Sequence, residues 1–591
     1  MERTPDGPRR VVLNGTTLTV GELIALADGA AVPVVAPEAR ERAVRSWRAA
    51  ERLAAGGRLY GRGTGVGAHR SVPVDPADES AHGLRLLRSH AGGAGALLPA
   101  RQVRAMLAVR LNQFLAGGSG IQPAFVDALT DALRLGVHPA VHEYGAVGTG
   151  DLTALAQTGL TLIGERPWTG GDEPWTHGDR PWTPGDRPSA HGGPPVTGSG
   201  PAPAAAGAGA ATRDRSEGES YGSVADVRPT GGRGAGGGKD IGAGLTVLTG
   251  ASVSSEAVAP VSPLPPSALP APVTLLPGDA LALLSSNALA LAQAAVAQCE
   301  LDMLLRATHA VAALSLAAVS GSAEAYAAPV HALRPYPGAA RAAGEVRRLL
   351  GLDDRAAGAS GASGVPAAPG LRIQDPFGFR AFPQAHGCAL DAAERLREVV
   401  EVEANCPSEN PVIAPDGTAA YHHGGFFAAP LGLALDAANL ALLQTAQLSA
   451  ARLAALGDPA LTGLPAFLAA GPASSSGTMI LEYTSNSALA ELRSCTAPAS
   501  AGHAVLSRGL EEAASFAGQA ARQALRAAEA YVTVLACELV TAVRALRLRP
   551  APPPVAAFAV AAAALPRGTD DRPLTGDVTA AAELLPVLAG L

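Results

Sequence analysis

The chain has 591 residues, of which 48% are apolar and 16% are charged, and it carries a formal net charge of -7. This length and apolar content are sufficient for a large core and for more than one domain. With 45 basic residues against 52 acidic ones, the sequence has no basic stripe for a phosphate backbone, which argues against nucleic acid as a partner.

The N-terminus and the cysteines indicate the compartment. The opening segment MERTPDGPRRVVLNG lacks the apolar core of a signal peptide, and the apolar run NALALAQAAVAQCELDMLL is interrupted by Glu300 and Asp302. The five cysteines are scattered, form no C-x-x-C pair and show no zinc-ligand spacing, which fits a reducing compartment. We therefore predict a cytoplasmic protein with no membrane segment and no metal site.

Helical periodicity runs through most of the chain. Apolar residues recur at three- and four-residue spacing in PEARERAVRSWRAAERLAA, PAFVDALTDALRLG, DAAERLREVVEVEA and the very long segment 510–546. Ala-rich helices near 290–320, 430–455 and 511–547 would pack closely side by side in an elongated bundle. Period-2 alternation is nearly absent, so the predicted fold class is mainly α.

Two glycine-rich loops precede the first clear break in the chain. They are LYGRGTGVG (59–67) and YGAVGTGDLTALA (144–156), and clustered glycines indicate unusual dihedrals or close backbone approach. Neither loop contains G-x-x-x-x-G-K-[ST], and neither lies between a convincing strand and a helix as a dinucleotide fingerprint requires. The sequence therefore argues against a nucleotide site, and a helix cap followed by a turn is the simpler interpretation.

The character of the chain changes near Arg166. The segments PWTGGDE, PWTHGDR and PWTPGDR repeat with a seven-residue period and then decay into Ala/Gly/Pro-rich sequence. Proline in every repeat excludes a coiled coil. We predict a disordered insertion at 165–272 between an N-terminal domain at 1–164 and a helical region at 273–591. Its tryptophans either anchor a partner or belong to a repeat whose sequence is diverging without a function. The second interpretation is favoured.

Several motifs together resemble a known family. RLYGRGTGVG, LRSHAGGAG, HPAVHEYGAVGTGDLTALA, IQDPFGFRAFPQAHG, EVEANCPSENPVI and SSSGTMILEYTSNSALAE occur in the order and approximate spacing of the aromatic amino acid ammonia-lyases, which include histidine and phenylalanine ammonia-lyases. The resemblance spans nearly the whole chain outside the insertion. It implies a long central helix bundle of the fumarase/aspartase-like type, a homotetramer with active sites shared among subunits, and a small amino-acid substrate.

The resemblance also implies a prosthetic group. In this family an Ala-Ser-Gly triad, in a loop like GSVGASGD, cyclises and loses water to give methylideneimidazolone. Here GAVGTGD is one residue shorter, and alignment from Asp151 makes the triad Gly148-Thr149-Gly150. Dehydration of threonine would give an ethylidene with an additional methyl, while the two glycines permit the backbone to fold back. A loop that never cyclises fits the sequence equally well.

Other matched positions suggest catalytic and substrate-binding roles. Tyr60 matches the tyrosine that removes the β-proton, for which its pKa, near ~10 in free tyrosine, would have to be lowered. Arg380 matches the arginine that clamps the substrate carboxylate, a task suited to its planar fork. Gln374 matches a pocket glutamine, and Phe377 replaces a tyrosine of the family's pocket.

Two further family motifs have changed their polar residues. The family's asparagine in a motif like LALINGT becomes Ser285 in LALLSSNAL, with Asn287 two residues later as a partial substitute. The motif GGNFHG becomes GGFFAA, which keeps Phe426 in register. By this resemblance, the hydrogen-bonding side chains of the pocket differ from those of the family.

Substrate choice is indicated by two positions. Ser89-His90 resembles the selectivity pair of histidine ammonia-lyases, and Glu491 matches a glutamate that faces the imidazole in those enzymes. Together His90 and Glu491 offer a donor and an acceptor to a heteroaromatic ring. A lone histidine in a helical segment is, however, more often structural.

Two functional hypotheses follow. In the first, the protein is an amino-acid lyase or aminomutase that uses Tyr60, Arg380 and a Thr149-derived electrophile. In the second, it is a catalytically degenerate homologue retained for binding or assembly. For the first, we expect the loops carrying Tyr60, Thr149 and Arg380 to converge near one end of the helix bundle, in part only across subunits.

Overall fold

The described part of the chain starts with a parallel strand pair and is otherwise mainly helical. The computed structural model describes residues 9–57, 59–170, 269–352, 372–551 and 555–591. In chain order the helices are α1 (Val20–Ala27), α2 (Pro37–Ala55), α3 (Glu79–His90), α4 (Ala100–Ala116), α5 (Pro123–Leu135), α6 (Leu152–Leu162), α7 (Asp279–Leu284), α8 (Ala288–Ala318), α9 (Ala328–Ala332), α10 (Pro337–Leu349), α11 (Phe377–Arg380), α12 (Phe382–Ala404), α13 (Ala429–Leu456), α14 (Pro459–Thr462), α15 (Met479–Ser494), α16 (Ala517–Leu548), α17 (Ala556–Ala564) and α18 (Thr575–Ala589). The predicted mainly α fold is confirmed.

Strands are short and form two-stranded sheets in the described part of the chain. β1 (Arg9–Leu13) pairs in parallel with β2 (Ala31–Val35), and the antiparallel pairs are β3 (Ala94–Leu97) with β5 (His142–Tyr144), β4 (His138–Pro139) with β6 (Trp168–Thr169), and β7 (Val412–Ile413) with β8 (Ala420–Tyr421). The pair β3 and β5 matters most for function, because β5 leads directly into the glycine-rich loop before α6.

The long helices α8, α12, α13 and α16 pack against one another as a central bundle. Alanine fills much of their contact surface, and its small side chain allows neighbouring helices to lie close together. The same core continues into α1, α4 and α6, so residues from both sides of the predicted insertion share one hydrophobic core. The expected long central bundle is confirmed.

One part of the bundle is apolar enough to resemble a membrane span. The segment Asp279–Ala318 has the length and hydropathy of one, but 94% of its most apolar window is buried inside the protein. It comprises α7 and α8, which are surrounded by other helices of the bundle. Burial against protein accounts for this apolar composition, as in the core helix of a water-soluble bundle.

A buried ion pair connects three helices of the bundle. Arg452 Nε on α13 lies 2.6 Å from Glu538 Oε1 on α16, and both side chains are fully buried. Ser315 Oγ on α8 and Ser449 Oγ on α13 donate to the same carboxylate at 2.6 and 2.5 Å. Removing one partner of such a pair typically costs about 3–5 kcal/mol of stability, so the pair requires its full set of hydrogen bonds.

The described fold includes both ends of the predicted insertion. Arg166 Nη2 donates to the Ala140 carbonyl at 3.3 Å, and Trp168 belongs to β6 and packs partly buried against the core. Residues 171–268, with the other two repeat tryptophans, lie outside the described residues, so the predicted disorder there stays a prediction.

The start of the last long helix differs from the sequence-based expectation. The periodic pattern predicts a helix from about residue 510, but α16 begins at Ala517 and Phe516 adopts a left-handed φ of +50°. The expectation was wrong because tertiary contacts hold this backbone in a loop: Phe516 N donates to the Val147 carbonyl at 2.8 Å. We call residues 506–516 the 506–516 loop.

Candidate active site

The glycine-rich loop between β5 and α6 is a buried, tightly folded turn. Gly148 and Gly150 have φ values of +87° and +106°, a region that glycine adopts readily and that other residues avoid. Thr149, between them, is only 8% exposed. The two glycines therefore allow the chain to reverse direction around a buried hydroxyl.

The 506–516 loop packs directly on this turn. Ser515 Oγ donates to the Gly148 carbonyl at 2.9 Å, and Thr149 Oγ1 donates to Glu511 Oε2 at 3.3 Å. A Cβ atom on Gly148 would lie 2.0 Å from Ser515 Oγ, so a side chain at this position would collide with the serine hydroxyl. The carbonyl of the first triad residue and the hydroxyl of the second thus each have a partner in the 506–516 loop.

Asn287, at the start of α8, holds the other side of the turn. Its Oδ1 accepts from Gly150 N at 3.1 Å, and its Nδ2 donates to the carbonyl of Phe426. The predicted substitute Asn287 therefore contacts the triad, while Ser285 is buried nearby and its carbonyl accepts from Ser408 Oγ at 2.9 Å. Phe426 contributes through its backbone oxygen.

Asp151 fixes the turn to the bundle. Its backbone N donates to the Ser286 carbonyl at 2.7 Å, and its Oδ2 accepts from Ala290 N at 2.8 Å. Complete burial raises the pKa of this carboxyl to about 6, although the amides at the start of α8 partly offset the effect. Asp151 therefore anchors the triad on the N-terminal end of the central helix.

Tyr60 lies close to the same group of residues. Its Oη accepts from Gly67 N at 2.8 Å, and its ring makes an edge contact with His422 at a centroid distance of 6.3 Å. Burial raises the pKa of Tyr60, and the nearby Glu511 carboxylate raises it further, while Gly67 N and Arg70 act in the opposite direction. Tyr60 is thus within electrostatic range of Glu511, the carboxylate that accepts a hydrogen bond from Thr149 in the same chain.

The segment with Gln374, Phe377 and Arg380 lies elsewhere in the same chain. Gly378 packs on Arg452 near the end of α13, whereas Gly432 near the start of α13 packs on Ser515. The twenty residues between those two contacts correspond to about 30 Å of helix at 1.5 Å per residue. Within one chain, Arg380 therefore does not join Tyr60 and Thr149.

Part of this segment is open to solvent. Phe377 is 64% exposed and stacks on the Arg380 guanidinium at 4.2 Å, and Gln374 is exposed beside it. Arg380 Nε is buried without a hydrogen-bond partner among the described residues. The guanidinium is therefore positioned by packing, with donor capacity left for an anion.

The two residues that suggested a histidine-like substrate occupy separate places. His90 ends α3, and its Nδ1 lies 2.9 Å from the Leu86 carbonyl of its own helix and 3.0 Å from Ser89 Oγ. Glu491 is exposed on α15, where its carbonyl accepts from Ser494 Oγ. Within one chain, local contacts hold His90 as they would a structural histidine, and its ligand role stays a prediction.

The model of the family described as "Aromatic amino acid lyase" matches residues 18–177 and 246–566. This chain belongs to the aromatic amino acid lyase family. The predicted resemblance is confirmed, and the matched ranges leave out most of the predicted insertion.

Relatives of this lyase-family chain agree over almost its full length. The histidine ammonia-lyase of Anaeromyxobacter sp. (strain K) is 31% identical over 582 residues, covering 97% of this chain and 98% of the relative. Ergothionase from Treponema denticola superposes with a TM-score of 0.75 at 22% identity, covering 98% and 99% of the two chains. Tyrosine aminomutase from Streptomyces globisporus gives a TM-score of 0.75 at 22% identity, covering 98% and 97%. The two structural likenesses show a shared fold.

Sequence reasoning missed Glu511 and Ser515 in this lyase-family site. Two adjacent acidic residues before an Ala-rich run are a normal signal for the first turn of a helix. Because of that signal, the sequence predicts a helix where the structure has the 506–516 loop. No residue spacing within LEEAAS indicates that this segment contacts the distant triad. Only the tertiary fold brings residues more than 360 positions apart into contact.

Proposed function

We propose that the protein is a carbon-nitrogen lyase that eliminates ammonia from an aromatic or histidine-like L-amino acid, or an aminomutase that moves the amino group. The observation that carries the proposal is the convergence of Tyr60, Thr149, Asn287 and Glu511 at one buried turn. The reaction removes a weakly acidic β-proton and breaks a C–N bond, so it requires a positioned base together with an electrophile.

The triad Gly148-Thr149-Gly150 fits an autocatalytic group of the methylideneimidazolone type. The observations in favour are the two positive φ values and the buried, hydrogen-bonded hydroxyl. Such a group supplies an electrophilic carbon, which unmodified side chains do not provide. Because the precursor is threonine, that carbon would carry an additional methyl.

Tyr60 would hold and remove the β-proton, and Arg380 would bind the substrate carboxylate through two parallel N–H donors. Since Arg380 lies about 30 Å along α13 from the triad of its own chain, it would come from another subunit of a homotetramer. The exposure of Phe377 and of Ile373, at 64% and 97%, supports a covered position for this segment in an assembly.

Ring recognition would involve His90 and Glu491, one as donor and the other as acceptor for a heteroaromatic side chain. The histidine ammonia-lyase relatives support a histidine-like substrate. The free cysteines of the described fold support a cytoplasmic location.

A catalytically degenerate, non-cyclised homologue is the second candidate. Two observations favour it: the triad loop is one residue shorter than the family's pattern, and burial raises the pKa of Tyr60 where a base requires a lower one. A role in binding or assembly would then explain the retained fold.

Intact-mass spectrometry of the purified protein separates the two candidates. A lyase would be lighter than its sequence mass by two water molecules, absorb additionally in the near ultraviolet and release ammonia from an aromatic amino acid. Thr149→Ala would lose all three properties, and Thr149→Ser would keep them. An unmodified wild-type mass, with no turnover across a panel of aromatic amino acids, contradicts the lyase and supports the second candidate.

A further inference from the structure

The position of Ser515 explains why the first triad residue is glycine. The Ser515 hydroxyl occupies the place where a Cβ of residue 148 would lie, at 2.0 Å, and it donates to the Gly148 carbonyl at 2.9 Å. Ser515 is 4% exposed, so this hydrogen bond is shielded from water. The methyl group of the family's alanine is thus exchanged for a hydrogen-bond donor from another part of the chain.

The same loop places an acid-base group at the second triad residue. Glu511 Oε2 accepts from Thr149 Oγ1 at 3.3 Å, and Asn287 Oδ1 accepts from Gly150 N at 3.1 Å. Three reacting polar groups of the triad therefore have a partner: the Gly148 carbonyl, the Thr149 hydroxyl and the Gly150 amide.

We propose that the 506–516 loop catalyses the modification of the triad, with Ser515 polarising the Gly148 carbonyl for ring closure and Glu511 transferring the proton for loss of the Thr149 hydroxyl. This inference rests on the proposed function, because it assumes that the triad cyclises. It adds two residues that act on the backbone itself before any substrate binds.

The chemistry balances without an oxidant or a co-reactant. In ring closure, Gly150 N forms a bond to the Gly148 carbonyl carbon, and the carbonyl oxygen leaves as water with the amide protons of Gly150 and Thr149. A hydrogen bond from Ser515 stabilises the negative charge that develops on that oxygen during attack.

In dehydration, the Cα–H and Cβ–O bonds of Thr149 break and a Cα=Cβ double bond forms. The departing hydroxyl combines with the Cα proton as the second water. Glu511, whose carboxylate accepts the hydrogen bond of that hydroxyl, would take up the Cα proton as a general base and then pass it to the departing oxygen as a general acid.

The test compares the intact masses of five full-length proteins: the wild type, Ser515→Ala, Glu511→Gln, and the control variants Ser507→Ala and Glu512→Gln from the same loop. We expect the wild type and both controls to lack two waters, Ser515→Ala to retain both, and Glu511→Gln to lack one. Ser515→Thr, which keeps the hydroxyl, should recover the loss of mass.

Each result has a distinct meaning. If the wild type and Ser515→Ala both lack two waters, Ser515 has no role in ring closure, and the proposed lyase function is unaffected. If Glu511→Gln also lacks two waters, Glu511 has no role in dehydration. If the wild type carries its full sequence mass, this inference and the proposed electrophile both fail. Circular dichroism and thermal unfolding identify variants that do not fold, and recovery in Ser515→Thr then decides the role of the hydroxyl.

Discussion

Two parts of the candidate site differ in how they are held. The inner group, which comprises Tyr60, Thr149, Asn287 and Glu511, is joined by hydrogen bonds and electrostatic contacts within one chain. In the outer segment, residues 374–380, Gln374, Pro376 and Phe377 are exposed, and the arginine is held by a stack on Phe377. One chain thus brings together the residues proposed to act at the triad, whereas Arg380, the proposed carboxylate clamp, would need another subunit or a ligand to complete its contacts.

The largest effect is expected at the inner group. Tyr60→Phe removes the hydroxyl that would take the β-proton, and loss of a general base typically lowers the rate about 10²–10⁴-fold. The two-water loss of mass should stay unchanged, because the Tyr60 hydroxyl accepts its hydrogen bond from Gly67 N and not from the triad. Steady-state kinetics with intact-mass spectrometry checks both statements, and Tyr421→Phe, on exposed strand β8, is the matched control. Retained activity in Tyr60→Phe would remove this residue as the base.

The sequence predicted the residues that lie in local motifs and missed those that depend on the tertiary fold. The family resemblance assigns Thr149 as the central triad residue by alignment from Asp151, and it offers Asn287 as a partial substitute for the asparagine that Ser285 replaces. Glu511 and Ser515 were hidden in an Ala-rich pattern typical of a helix. Local periodicity predicted α2, α5 and the part of α12 at 391–404, since their amphipathic faces decide their structure, whereas a loop fixed by distant hydrogen bonds leaves no such pattern.

A smaller effect is expected at the outer segment. Arg380→Ala should raise KM or lower kcat/KM by about 10–100-fold, since a hydrogen bond to a charged group contributes about 1.5–3 kcal/mol. The mass of the protein should be identical to that of the wild type after correction for the substitution, because the outer segment does not touch the triad. Arg395→Ala, an exposed arginine on α12, serves as the control. A loss of triad modification in Arg380→Ala would contradict the separation of the two parts.

The pH dependence of activity measures whether the two parts meet. Burial and Glu511 raise the pKa of Tyr60 in the single chain, so the deprotonated base would be scarce at neutral pH. With that environment alone, kcat/KM should rise about tenfold per pH unit through the alkaline range towards a pKa above ~10. A plateau near neutral pH would show that positive charge from elsewhere, such as Arg380 of another subunit, lowers the pKa of Tyr60.

Mixed oligomers test directly whether the site is shared among subunits, and the expected change in activity is smaller. Co-expression of Tyr60→Phe and Arg380→Ala chains with different affinity tags yields assemblies in which some sites combine an intact inner group with an intact outer segment. If the site is shared among subunits, the mixed oligomers should regain a fraction of wild-type activity above either parent. Activity no greater than the mean of the two parents would show that both parts act within one chain.

The smallest effect is expected from a deletion outside both parts. Residues 175–265 are rich in glycine, proline and alanine and poor in large apolar side chains, a composition from which we predict no packed core. Their removal, with a short flexible linker in their place, should change activity, oligomeric state and the free energy of unfolding little, within about ±0.5 kcal/mol. A longer deletion of 166–270 also removes Arg166 and Trp168, which contact the core, and should destabilise the protein measurably. Thermal unfolding of the two deletion variants separates these cases. Equal stability of the two variants would show that the contacts of Trp168 are dispensable. A large loss of stability in the shorter deletion would show that residues 175–265 support the fold.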